Sequence, residues 1–353
     1  MNRTAKMMLA AGLLLSATGR DSFAQELPAL APPAANPASL IRFQDEQPVL
    51  PGLLQAEKDE KNGNGDKNGN GDKNGKDEKK EEERKNISDN SYLIEEAYNQ
   101  EPGVVQHIFN WTNYWDSTGG RNREFTFLYT MELPMGSQAH QFSFSVPMIN
   151  FYDEPDGGAI TNNGGFGDIQ LNYRYQLTMD DEHGWRPAIA PRFSVILPSG
   201  DEDRDLGNGN VGYQFNLPIS KELEKFAFHF NAGYTYGPSV SLPLDAGVPL
   251  TSQDLHAYNV GGSVIWLINY DFNLMLEFVV QGGDEIASDT GLKDKFTEVI
   301  LNPGFRWAAY TSDEVQWVLG LAVPIGLNDG APDIGVFGYM SVEHSFRKKK
   351  NGD

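Results

Sequence analysis

From Val104 onward, hydrophobic and polar positions alternate with a period of two. Between 166 and 177, Ile169, Leu171, Tyr173, Tyr175 and Leu177 fall on one face, and Asp168, Gln170, Asn172, Arg174 and Gln176 fall on the other. Residues 210–220 set Val211, Tyr213, Phe215, Leu217 and Ile219 against Asn210, Gln214, Asn216 and Ser220. Residues 226–236 set Phe226, Phe228, Phe230, Ala232, Tyr234 and Tyr236 against His229, Asn231 and Thr235. Successive side chains of a strand point to opposite sides, so this pattern predicts strands with one apolar and one polar face.

Twelve segments carry the pattern: 104–115, 123–135, 139–152, 165–178, 185–198, 210–222, 226–237, 255–269, 271–281, 295–310, 314–326 and 334–346. Strands of soluble sheets usually run about 5–6 residues, whereas a tilted strand crossing a bilayer needs about 9–11. Most of these segments exceed ten residues. Their length predicts an all-β fold, an antiparallel transmembrane β-barrel of about twelve strands. The connectors agree with a barrel whose two chain ends share one side. Those after even-numbered segments are short, as at Gly136-Ser137-Gln138 and Tyr270-Asp271, and most after odd-numbered ones are long and rich in Gly and Asp. Trp111, Trp115, Trp185, Trp266, Trp307 and Trp317 lie within the segments, several near their ends, as interfacial belts require. Proline cannot donate to a ladder, so Pro147, Pro191 and Pro303, inside segments, predict bulges.

The chain upstream of 104 has no such pattern. Arg3 and Lys6, the apolar run Met7 to Leu15, and Ser22 and Ala24 form a secretory signal with cleavage expected after Ala24. Residues 25–90 form an arm, first rich in Pro, Ala and Leu, then almost wholly Lys, Glu, Asp, Asn and Gly. Such chain buries too little apolar surface to offset its ordering entropy. One register, from Asp66 to Asp77, resembles a calcium loop, but Lys73 stands where a hydrophobic residue pins such loops. We therefore read the arm as a polar linker. Residues 91–103 are a short lead-in, with one or two helical turns expected over 91–99 before Pro102, docking at the barrel mouth or leading into the first strand. Residues 347–353 are a basic tail.

Composition sharpens the class. The chain has 353 residues, no cysteine and a net charge of −21. Lack of cysteine removes disulfides and thiolate chemistry, and the acidic balance excludes a nucleic-acid surface, which needs clustered cations. No stretch past the first residues is apolar for about 18 positions, the length a helical span requires.

Gly165-Phe166-Gly167-Asp168-Ile169, Tyr173-Arg174-Tyr175, Leu197-Pro198-Ser199-Gly200-Asp201, Leu206-Gly207-Asn208-Gly209 and the run Phe228 to Tyr234 together resemble an outer-membrane β-barrel family labelled "putative meta-pathway of phenol degradation", loosely related to hydrophobic-compound transporters. The resemblance covers roughly 104–346. It implies passive uptake of small molecules, aromatic ones among them, and its motifs are turns and strand ends rather than substrate contacts.

The polar faces supply candidate lumen-lining residues: Glu132, Asp168, Gln170, Asn172, Arg174, Arg192, Gln214, Asn216, His229, Asn231, Glu277, Glu298, Asn302 and Arg306. Both charge signs occur, so Arg–carboxylate pairs either line a narrow pore or close it; barrels of eight strands are filled and those of sixteen are open. No Gly-x-Ser-x-Gly elbow or His-Glu-x-x-His helix joins the six histidines His107, His140, His183, His229, His256 and His344, so no enzyme is expected. No cofactor and no metal site is expected either; the acidic stretches Asp153–Asp156 and Asp201–Asp205 read as solvated loops. The expected surroundings are outer-membrane lipid and a small-molecule solute. The leading expectation is a passive channel; the alternative is a structural or surface-binding barrel with a plugged lumen and a partner-binding arm.

Overall fold

A computed structural model describes residues 87, 89, 91–117, 120–155, 160–181, 184–240, 252–287, 290–312 and 314–346. The signal, most of the arm and the basic tail lie outside these residues.

Among the described residues, fifteen strands form one antiparallel sheet closed on itself. They are β1 (Val104–Asp116), β2 (Gly120–Met135), β3 (Ser137–Pro155), β4 (Thr161–Phe166), β5 (Ile169–Tyr175), β6 (Ala188–Ile189), β7 (Arg192–Leu197), β8 (Gly212–Glu222), β9 (Phe226–Val240), β10 (Gln253–Asn269), β11 (Phe272–Ile286), β12 (Lys293–Thr311), β13 (Val315–Ala322), β14 (Ile325–Gly326) and β15 (Ile334–Ser345). Closure runs from Val104 opposite Ser345 to Trp115 opposite Ile334. Three pairs, β4/β5, β6/β7 and β13/β14, are single staves broken in the middle, so the wall has twelve staves, as the alternation predicts.

The breaks follow the prolines. Pro147 of β3 lies where its partner changes from β5 to β4, and its carbonyl accepts from Gly167 N at 2.9 Å. Pro303 of β12 sits opposite the β13/β14 break and accepts from Val323 N at 3.0 Å. Pro191 divides β6 from β7. A residue without an N–H leaves the neighbouring stave one bond short, and the neighbour bends there. At the β4/β5 break the wall changes character. β5 pairs with β7, but β4 pairs only with β3. The loop after β7 covers the free side. Arg204 Nε donates to Asn163 at 3.0 Å, and Asp168 accepts from Gly200 N at 2.9 Å and Asn208 N at 2.8 Å.

Outward positions are apolar and exposed, among them Phe193, Phe215, Tyr234, Leu276 and Phe278. Trp185, Trp266, Trp307 and Trp317, all exposed, gather at the end with the short connectors, where Gly136 takes a φ of +77° to turn β2 into β3. At the opposite end strands run past the expected boundaries: β3 reaches Pro155, β9 reaches Val240 and β11 reaches Ile286. These extensions are short and mix Gly, Pro and acidic residues with the buried apolar Val240 and Ile286, so alternation did not mark them.

Candidate functional site: a collar inside the lumen

The residues before β1 do not dock at the mouth and form no helix. They run inside the barrel, round the wall, as an irregular collar. Gln100 N donates to Gln141 of β3 at 2.7 Å, and Asn99 N to Gln176, just past β5, at 2.8 Å. Ala97 N reaches Ser220 of β8 at 2.8 Å, and Glu95 N reaches Asn231 of β9 at 2.6 Å. Ile94, Leu93 and Tyr92 turn their N–H groups to one oxygen of Glu277 on β11, at 3.2, 2.8 and 2.9 Å. Asp89 accepts from Tyr339 of β15 at 2.6 Å and also binds Ser341. Gln106 of β1 ties the ends together: its Oε1 accepts from Gln100 at 2.6 Å and its Nε2 donates to Asp89 at 3.0 Å. An irregular segment in an apolar setting must find partners for each N–H and C=O, and the inward amide and hydroxyl side chains supply them.

Charge pairing fixes the middle of the collar. Glu95 meets Arg192 Nε at 2.9 Å and Arg174 Nη1 at 3.1 Å, and accepts from Asn216 at 2.6 Å. Arg174 also donates to the carbonyls of Glu96 and Tyr98, at 3.2 and 2.6 Å. Glu96 faces His229 at 3.4 Å and Arg306 at 3.9 Å. Arg306 reaches the Ile87 carbonyl at 3.0 Å. Ser91 to Gln100 keep at most 8 % of their surface exposed. A water-filled passage beside them would leave one side wet, so the barrel is closed at this level.

Apolar side chains of the collar key into glycines of the wall. A Cβ at Gly261 would lie 2.5 Å from Ile94 Cδ1. The Tyr92 ring covers Gly304 of β12 and Gly320 of β13, with ring centroids 5.1 Å from Phe337 and 5.6 Å from Tyr339. Its hydroxyl donates to the Phe305 carbonyl. Burial raises that hydroxyl well above the ordinary tyrosine value, so it stays a donor.

Seven sequence-derived candidates touch the collar: Arg174, Arg192, Asn216, His229, Asn231, Glu277 and Arg306. Asn302 and Glu132 stand behind it. Asn302 donates to Glu277 at 2.5 Å, and Glu132 accepts from Gln141 at 2.7 Å. Asn172 accepts from Arg192 at 3.0 Å. Gln170 bonds Gln214 at 2.9 Å, and Glu298 accepts from Gln281 at 2.7 Å, as links between wall side chains. Asp168 holds the loop after β7 rather than the collar. Sequence reasoning placed Gln176 on a polar face without making it a candidate, and missed Gln106, Gln141 and Ser263, which bonds Ser91, together with the inward glycines. A glycine inside a strand was the available signal, since it marks close approach by other chain. Among the described residues no cluster of three or more His, Asp and Glu suits a metal ion.

A closed twelve-stave barrel, apolar outside and polar within, defines an outer-membrane barrel protein. The family model described as "Putative MetA-pathway of phenol degradation" matches residues 121–341, and the chain belongs to that family. No curated protein sequence matches it. In fold it is similar to the COG4313 outer membrane channel from Pseudomonas putida F1, with a TM-score of 0.53 at 11% identity over 71% of this chain and 98% of that one. Two overlays are looser: the transport unit of the autotransporter AIDA-I from Escherichia coli (TM-score 0.45, 10% identity, 70% of this chain and 91% of that one) and the CymD monoaromatic hydrocarbon channel (0.34, 11%, 70% and 90%). The fold likeness rests on the first.

Proposed function

We propose that this protein is a gated passive channel for small hydrophobic or aromatic solutes, and that the collar is its gate. One observation carries the reading. The collar is held by hydrogen bonds and ion pairs to many staves, with no covalent or strand pairing to the wall between Ser91 and Gln100. Leaving the lumen breaks only these contacts and keeps every ladder bond of the wall, so the collar can move while the sheet stays closed. The inward candidates that bind the collar would line the path once it leaves. No catalytic arrangement is part of the reading.

A second reading has the same closed collar in its favour: a structural barrel whose lumen stays filled. Liposome swelling with a size series of sugars and small aromatics separates the two, using the full mature chain and a form lacking everything before Val104. Swelling by the shortened form, with a size cutoff, is the expected result. Absence of swelling in both forms, in protein shown folded by heat-modifiable gel migration, overturns the channel.

A further inference from the structure

The hollow under Tyr92 is built for a ring. Gly304 and Gly320 occupy inward positions on neighbouring strands; the three atoms nearest a Cβ at Gly320 all belong to Tyr92, whereas a Cβ at Gly304 would also meet Ala322 Cβ at 2.6 Å. A Cβ at Gly304 would stand 2.7 Å from Tyr92 Cε2, and one at Gly320 would overlap the same ring. Phe337 and Tyr339 form tilted aromatic walls. At the far end the Phe305 carbonyl accepts a hydrogen bond from the ring hydroxyl. Floor, walls and acceptor thus select a flat six-membered ring carrying one donor, which is the chemistry of a phenol. The collar's other tyrosine, Tyr98, instead clusters with Ala188 and Ala190 and donates its hydroxyl to Asp180 at 3.1 Å, with no aromatic residue in that cluster besides itself.

We infer that this hollow is a binding subsite for a free monohydroxylated aromatic ring, and that Tyr92 occupies it in the closed state as a tethered competitor. The inference rests on the channel reading for its consequence, since a ring that takes the hollow leaves Tyr92 without a seat and favours the open collar. A ligand shifts such an equilibrium only by its preference for one state. Tethering gives Tyr92 an effective concentration on the millimolar scale. Free phenols therefore act at millimolar levels on the intact chain.

The probe is p-cresol, the tyrosine side chain as a free molecule, with toluene as the ring without a donor. Binding is read by calorimetry on detergent-folded full-length protein, and opening by liposome swelling with a small sugar as reporter. Removing the competitor in Tyr92→Ala is expected to tighten p-cresol binding at least tenfold. Filling the hollow as well, in Tyr92→Ala with Gly320→Leu, is expected to abolish it. Tyr92→Phe keeps the ring and the fold but loses the hydroxyl bond, so p-cresol should act at several-fold lower concentration than on the native chain. Native protein should swell faster with p-cresol than with toluene. Equal p-cresol affinity in the native chain and both single variants overturns the subsite. Swelling that occurs but does not change with p-cresol, with altered affinity, overturns the competitor role. Absence of swelling under every condition, with the affinity pattern intact, fails the channel reading and leaves the subsite standing.

Discussion

Arg192 on the wall and Glu95 on the collar meet with Nε 2.9 Å from Oε2, both almost wholly buried. Arg174 shares the same carboxylate at 3.1 Å. Two guanidinium groups thus share one carboxylate that belongs to a removable segment, and Arg174 also lies 3.7 Å from Glu132 of the wall. Breaking a buried pair from one side costs about 3–5 kcal/mol, because the remaining charge stays desolvated. Glu95→Ala is therefore expected to loosen the collar and to raise single-channel open probability in planar bilayers, while the barrel still folds. Restoring neutrality with Arg192→Leu in the same chain should recover part of the closure. Open probability equal to the native protein in Glu95→Ala would mean that the pair does not hold the gate.

Glu277 is the second latch. Its Oε1 takes three backbone N–H groups and its Oε2 takes Asn302. An unsatisfied buried donor costs about 1–3 kcal/mol. Glu277→Gln keeps an acceptor oxygen and should leave the channel mostly closed. Glu277→Leu strands all three N–H groups and should open it more than any single ion-pair change. Swelling rates in the order native, Gln, Leu are the expected result, and equal rates for Gln and Leu would refute the latch.

The barrel was legible in the sequence because its constraint is local and periodic. Each stave must present apolar atoms to lipid at every second position, and a residue such as Phe215 or Tyr234 shows this by its neighbours alone. The collar was not legible for the opposite reason. Tyr92, Leu93, Ala97 and Tyr98 are spaced as a short amphipathic helix would space them, yet Tyr92 and Leu93 bind Glu277 of β11, Ala97 binds Ser220 of β8 and Tyr98 reaches Asp180 in the connector before β6. Its bonds span separations such as 185 residues between Tyr92 and Glu277, and 252 between Asp89 and Ser341. No periodicity reports on contacts of that range. The polar inward set could be named from the sequence, but whether it faced water or a strand of its own chain could not.

Asp168 gives a third expectation, away from the lumen. Its carboxylate holds Gly200 and Asn208, and Ser199 Oγ accepts from the Ile169 N–H at 2.8 Å beside it. This small network fastens the loop that covers the unpaired side of β4. Asp168→Ala removes two acceptors and should raise the rate of protease cleavage between Ser199 and Asn210 about tenfold, by the cost of about 1–3 kcal/mol for stranded donors. Glu95 and Glu277 lie elsewhere, so open probability should be unchanged. Cleavage at the native rate would show that the loop is held by Leu206 and Arg204 instead.

The decisive test of the gate is to lock it. Ser91 Oγ on the collar and Ser263 Oγ on β10 are 2.6 Å apart, so the two side chains point at each other, as the halves of a disulfide must. The chain has no cysteine of its own, which leaves no competing thiol. In a Ser91→Cys, Ser263→Cys protein that also carries Glu277→Leu, the reduced form should swell liposomes at the rate of Glu277→Leu alone. Oxidation should return the rate to that of the native closed barrel, and dithiothreitol should restore it. Solute leaves the same mouth in both states and the wall is untouched, so only the position of residues 91–100 differs between them. If the oxidised protein, with the crosslink proved by mass spectrometry, still conducts at the reduced rate, the solute path does not run past the collar, and the gate must be sought in another part of the wall.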